Sequence, residues 1–257
     1  MRRRRLLAVL LAAVFLVSGV WAAVVLLDNY RSAHLYTETA AQFVQAVIPA
    51  APAAPQTTDA PEEKPVRPFP EMAIDFDALR AANEDIVAWV WVPGTTISYP
   101  VLQGENNQQY LNRTYTGTVA NAGSIFMDYK NAPDFTDPNS IIYGHNMRSG
   151  NMFGALQAFR EQSYADEHPY FCVITPEGQL NYDIFAVTVV DMHSDVYTIA
   201  FGQDKTFADF MDLVASQNLI EADVEVAEGD RICTLSTCTS VVWSDRLVVL
   251  GRLWTDP

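Results

Sequence analysis

The chain is 257 residues long, 49% of them hydrophobic, with a formal net charge of −15. All 31 acidic residues but only 12 of the 16 basic ones lie beyond Leu27, which leaves that portion at −19 and disfavours nucleic acid and anionic lipid surfaces as partners. Three cysteines, an odd number, do not make a disulfide-built scaffold.

Residues 1–5 form a basic tail, and residues 6–27 follow without a single charge. Such a run is long enough to cross a hydrocarbon core of about 30 Å at about 1.5 Å per residue. A cleaved signal peptide has a shorter apolar region, of about 7–15 residues, and a small-x-small cleavage site. Here "SGVWAA" (18–23) is a weak site, and "VVLL" continues past it with no polar break. An uncleaved anchor is expected, with the four arginines cytoplasmic and the remainder of the chain outside. Residues 28–47 read as a helical stalk. Residues 48–71 read as a linker, because seven of the fourteen prolines fall between Pro49 and Pro70. Proline at that density favours an extended spacer. The folded domain then spans 72–257, ample for one hydrophobic core.

Within that domain the dominant hydrophobic period is two. Strands are predicted at "IVAWVWV" (86–92), "TISYPVLQ" (96–103), "GSIFMDY" (123–129), "SIIYG" (140–144), "YFCVIT" (170–175) and "YDIFAVTVVDM" (182–192). A closing pair is predicted at "ICTLST" (232–237) and "RLVVL" (246–250). Short helices are expected over 75–83 and 152–159. Phe207, Phe210, Met211 and Val214 mark one face of a third, over 205–217, with Thr206 and Asp209 as its capping box. The fold class is mostly β, a barrel or sandwich with peripheral helices, preceded by the transmembrane helix.

The closing pair carries the chemistry. Joined by 239–245, its strands are most economically an antiparallel hairpin, which places Cys238 and Arg246 at one rim. A nearby cation favours thiolate over thiol, and a guanidinium can hold an oxyanion as it forms. Cys238 shares its strand face with Ser236 and Thr234, while Cys233 points the other way with Leu235. A bridge between Cys233 and Cys238 would need the chain to fold back, since five residues of strand span about 16 Å. Two arrangements stay open for the others: a Cys172–Cys233 bridge, or two buried apolar thiols, which is the usual fate of free cysteine.

A cysteine nucleophile needs a proton partner. Of the four histidines, His34 lies in the stalk, and His168 in "DEHPY" reads as a solvated loop residue. His193 in "DMHSD" is a weak metal motif at an exposed strand end. His145 ends the strand "SIIYG" and precedes a glycine-punctuated turn, so it is held at a rim by rigid structure. A papain-like arrangement needs a cysteine that opens a helix, and a thioredoxin-like one needs Cys-x-x-Cys. Neither is present.

"TLSTC", an arginine opening the next strand and "IIYGHNM" upstream together resemble the sortases, specifically class B. "DIVAWVWVPGTTISYPVLQ", "YLN", "AGSIFMDYKN", "IIYGHNMRSGNMFGAL" and "RLVVLGRL" extend the resemblance over roughly residues 76–254. It implies a closed sortase-type β-barrel and a membrane-anchored cysteine transpeptidase of a Gram-positive-type cell envelope. Cys238 would be the nucleophile, His145 the general acid/base and Arg246 the oxyanion or substrate stabiliser, with Ser236, Thr237 and Asn146 at the substrate. No cofactor and no metal are implied. The expected partners are exported proteins with a C-terminal sorting signal, cleaved after a threonine, and an amine of a peptidoglycan precursor or cell-wall peptide. A pilin-polymerising sortase with a lysine acceptor and a catalytically silent tethered binding module are the competing readings. Val241, Val242 and Trp243 form an unusually apolar loop before Arg246. They are expected either to pack on the barrel or to line the substrate groove.

Overall fold

The computed structural model describes residues 2–48, 69–239 and 244–255. Most of the predicted linker and the loop residues Val241, Val242 and Trp243 lie outside the described residues. Helix α1 (Arg2–Phe43) is continuous from the basic tail through the apolar run. Strands β1 (Val44–Ile48) and β2 (Glu71–Ile74) then pair antiparallel as a separate two-stranded sheet. The predicted stalk over 28–47 is therefore helical only to Phe43. Its end is a strand, which suits the β-branched Val44, Val47 and Ile48. Nor does the stalk stand free of the domain. Ser32, Tyr36, Thr39 and Phe43, at i, i+4, i+7 and i+11, are all buried against it, whereas the apolar side chains between Leu10 and Leu27 are exposed except for the half-buried Val25.

Eight strands close into a barrel: β3 (Ile86–Trp91), β4 (Ser98–Leu102), β5 (Ile125–Met127), β6 (Asn139–Tyr143), β7 (Tyr170–Thr175), β8 (Gly178–Asp191), β9 (Ile232–Cys238) and β10 (Asp245–Leu253). Their order around the barrel is β10-β8-β7-β3-β4-β5-β6-β9. Two neighbouring pairs run parallel, β4 with β5 and β6 with β9; the rest are antiparallel. The short helix α2 (Phe76–Ala82) is capped by Asp75, whose side chain accepts from the Ala78 N–H. The segment predicted as a helix over 152–159 is a 3-10 helix, Phe153–Arg160, followed by a short α3 (Gln162–Glu167) that the sequence pattern did not suggest.

Strand β10 shows why "LVVL" lacks the polar alternation of a half-exposed strand. Leu247 and Val249 face the main core with Trp89 and Phe171, while Val248 and Leu250 face a second cluster outside the barrel. That second cluster lies under α4 (Phe207–Gln217), which contributes Phe207, Phe210 and Val214. Both faces are buried, so both sets are apolar. Helix α4 starts at the predicted capping box, with Thr206 and Asp209 bonding each other's backbone N–H. Each fully buried aromatic or aliphatic side chain it contributes is worth about 1.5–3 kcal/mol.

Candidate active site

Strands β9 and β10 pair with Cys238 directly opposite Arg246. The Thr239 N–H donates to the Asp245 carbonyl at 3.0 Å. Cys238 and Arg246 are thus the adjacent, non-hydrogen-bonded pair, in which side chains stand closer. On the other side, β6 runs parallel to β9 with Tyr143 beside Ser236. The Gly144 N–H extends this pairing by donating to the Ser236 carbonyl at 3.0 Å. The chain leaves the strand after Tyr143, and His145 comes to line the same groove as Cys238. Three adjacent strand ends therefore bring thiol, imidazole and guanidinium to one rim. They line a groove of about 230 Å³ together with Leu111, Tyr143, Met192 and Tyr197.

The His145 ring is fixed by a hydrogen bond of 2.7 Å between Nε2 and the Leu111 carbonyl. A carbonyl only accepts, so Nε2 carries the proton, and Nδ1 is left as the nitrogen that can exchange one. The backbone of His145 is held too, its carbonyl accepting from the Phe153 N–H at 3.0 Å. The Cys238 carbonyl accepts from two side-chain amides, Asn146 Nδ2 at 2.9 Å and Gln157 Nε2 at 3.3 Å. Arg246 Nη1 donates to the Asp245 carbonyl at 3.1 Å.

The groove wall is phenolic and stays neutral. Burial pushes the Tyr197 hydroxyl up to about 12, against the opposing pull of its bond to Ser236 and of the Arg246 charge. Tyr143 is raised further, first by burial and then by the Asp128 carboxylate beside it. Tyr197 and Ser236 share a hydrogen bond of 2.8 Å, and Tyr143 donates to Asp128 at 3.0 Å. Asn107 Nδ2 also donates to that carboxylate, at 2.8 Å. Both phenols feel the guanidinium charge of Arg246, which sets it among the groove's hydroxyls.

A family model, the Sortase domain, matches residues 90–254. Sortase B of Listeria monocytogenes is 36% identical over 189 residues, which cover 72% of this chain and 76% of that protein. This chain is a class B sortase. Among solved structures, a Staphylococcus aureus sortase B-substrate complex superposes with a TM-score of 0.66 at 32% identity, covering 71% of this chain and 85% of that one. A Streptococcus pyogenes class B sortase involved in pilus biogenesis superposes with a TM-score of 0.64, also at 32% identity, over 70% and 98% of the two chains. The chemistry of the family is that of a cysteine transpeptidase.

In this sortase the residues expected at the substrate are placed differently from one another. Ser236 lines the groove. Thr237 borders it too and is as fully buried as Ser236, but where the Ser236 hydroxyl bonds Tyr197, that of Thr237 has no protein partner among the described residues. Asn146 is directed at the backbone of Cys238. All three cysteines are free, which settles the arrangement left open by the sequence: Cys172 and Cys233 are buried thiols. Burial pushes Cys172 up to about 12, and Cys233 is raised as well. His168 is not a solvated loop residue. Its Nδ1 is 3.0 Å from the Pro93 carbonyl, and its ring lies 4.4 Å from that of Tyr164. Residue spacing did not reveal the Leu111 carbonyl, Gln157 or Tyr197. The first is a backbone atom, and the other two reach the site from elements distant in sequence.

Proposed function

We propose that Cys238 is the nucleophile, His145 the general acid/base and Arg246 the oxyanion stabiliser of this transpeptidase. The observation that carries the reading is the strand register that sets Cys238 across from Arg246, together with the groove that both line with His145. The Cys238 thiolate attacks the carbonyl carbon of the threonine after which the sorting signal of an exported protein is cleaved. Negative charge gathers on that oxygen, where the guanidinium offers a planar fork of donors. As the C–N bond breaks, the imidazolium gives its Nδ1 proton to the departing amine, leaving a thioester. An amine of a cell-wall peptide or peptidoglycan precursor then attacks the thioester. Its proton passes to His145, and Cys238 leaves as thiolate.

The groove beside these residues has the size and the mixed apolar and hydroxyl lining to seat a few residues of extended peptide. Helix α1 is long and apolar enough to cross a membrane. In the proposed topology residues 1–5 are cytoplasmic, residues 6–27 span the bilayer and the barrel lies outside, in keeping with the four N-terminal arginines. A second reading, pilin polymerisation with a lysine side chain as acceptor, is favoured by the likeness to the Streptococcus pyogenes pilus sortase.

The full chain in detergent, given a panel of sorting-signal peptides and either glycyl-peptide or lysine-bearing pilin-peptide amines, separates these readings. Ligated product with the cell-wall-type amine supports wall anchoring, and product with the lysine alone supports polymerisation. Neither product nor hydrolysis with any peptide, from folded protein, would count for a silent binding module.

A further inference from the structure

Helix α1 is more than a tether. Its face of Ser32, Tyr36, Thr39 and Phe43 is buried on the barrel, and Tyr36 reaches the two segments that hold the reactive pair. The Tyr36 ring stands edge-on to Tyr99, with centroids 5.4 Å apart. Its hydroxyl donates to the Gly123 carbonyl at 2.6 Å and lies 3.2 Å from Ser124 Oγ.

The path through Tyr99 leads to the nucleophile. The Tyr99 hydroxyl accepts from the Met152 N–H at 3.0 Å. Met152 is buried with a φ of 54°, a left-handed conformation that a residue with a long side chain holds only when its surroundings impose it. Met152 bridges to Asn146 and caps the 3-10 helix that carries Gln157. Asn146 and Gln157 are the two amides on the Cys238 carbonyl.

The path through Gly123 leads to the histidine. Gly123, with a φ of 57°, packs so closely on the Leu111 carbonyl that a Cβ there would collide with it. The next residue, Ser124, bonds the carbonyls of Tyr110 at 3.0 Å through its N–H and Arg113 at 2.7 Å through its hydroxyl. The segment so fixed presents the Leu111 carbonyl that orients His145. A cavity of about 280 Å³, lined by Asn29, Ser32, Ser149 and Asn151 among others, separates part of α1 from the loop after His145. The ring contact of Tyr36 with Tyr99 spans from helix to barrel beside that gap.

We propose that Tyr36 is a positioning residue, through which the membrane-directed helix sets the geometry of Cys238 and His145. The inference rests on their proposed catalytic roles. The test compares Tyr36→Ala, Tyr36→Phe and Phe43→Ala in the full chain. Phe43→Ala removes a buried aromatic ring from the same helix face without touching either path. For each protein, the reactive Cys238 is titrated by alkylation and counted by intact mass. Turnover per titrated thiol, KM and the pH profile of the alkylation rate follow. Tyr36→Ala is expected to lower kcat per thiol about tenfold at unchanged KM, within the roughly hundredfold that a 1 Å misplacement can cost, and to displace the alkylation profile. Tyr36→Phe keeps the ring on Tyr99 and should recover part of the loss, while Phe43→Ala should lower Tm alone. Should Tyr36→Ala fail to fold, Tyr36→Phe decides alone, by a kcat per thiol below that of Phe43→Ala. Tyr36 variants that match Phe43→Ala in both kcat and profile would overturn the inference. Should the wild type transfer no peptide at all, the catalytic reading fails instead, and the alkylation profiles still decide whether Tyr36 acts on Cys238.

Discussion

Cys233 and Cys238 lie five residues apart on one strand, yet they inhabit different chemical worlds. Cys233 points into the barrel, where Leu235 and the other core side chains leave it fully buried and burial raises its thiol. Cys238 ends the strand half-buried, opposite a guanidinium and in one groove with an imidazole. A thiol becomes a nucleophile through what surrounds it. Odd spacing along a strand turns two side chains to opposite faces, so the same β9 supplies a fully buried packing thiol and a half-buried one at the groove.

Exchanging atoms in the two regions should have very unequal effects. Cys238→Ala is expected to reduce transfer by about 10⁴-fold or more, in the range of nucleophile deletions in other acyl-transfer enzymes. Product analysis by mass spectrometry reads the loss, and appreciable residual transfer would point to another nucleophile. Arg246→Lys keeps the charge but loses the planar fork. A drop in kcat of about 10²-fold with little change in Tm is expected, as for loss of one oxyanion donor. Cys233→Ser places a hydroxyl among apolar side chains and should cost about 2 kcal/mol, or roughly 4–8 °C in Tm for a domain of this size. Turnover per folded molecule should stay that of the wild type, and calorimetry with active-site titration separates the two effects.

The smallest effect is a pH dependence. Burial holds the Cys172 thiol at about 12 in the folded state, against about 8.5 in an unfolded chain. Below about pH 8.5 the thiol is protonated in both states and folding is unaffected. Above that value only the unfolded chain releases the proton, so stability falls by about 1.4 kcal/mol per pH unit until the folded thiol also titrates. Denaturant unfolding at pH 8.5 and pH 9.5, below the tyrosine range, should show at least this fall, since Cys233 is raised as well, and Cys172→Ala should lessen it by about 1 kcal/mol. An unchanged slope in Cys172→Ala would mean that Cys172 is not held neutral in the folded chain.

Much of this contrast is legible in the sequence, because period-two alternation states which face each cysteine takes. The seven residues between Cys238 and Arg246 likewise state that the two meet at a rim. The capping box of α4 is equally local and equally plain. The register of β6 beside β9 is different, since about ninety residues separate the partners and no local pattern encodes a parallel pairing. His145 could be singled out only by its strand-end setting and by family resemblance. Leu111 acts through its carbonyl, which every residue type possesses, and Gln157 is one amide among many on a short helix. The sheet of β1 and β2 leaves no local signal, because a proline-rich stretch of sequence divides its two short strands. Tyr36, Ser32, Thr39 and Phe43 do fall on one helix face. Beside the long apolar run that precedes them, this face reads as the tail of an anchor rather than as a docking surface.

The central claim is that the acyl group of the substrate rests on Cys238. The full chain should be mixed with a sorting-signal peptide in the absence of any acceptor amine, quenched in acid and mapped by peptide mass spectrometry. A single adduct is expected on Cys238, equal in mass to the peptide acyl portion ending in threonine, removed by hydroxylamine and missing from Cys238→Ala. An adduct on Cys172 or Cys233, or one that persists in Cys238→Ala, would contradict it.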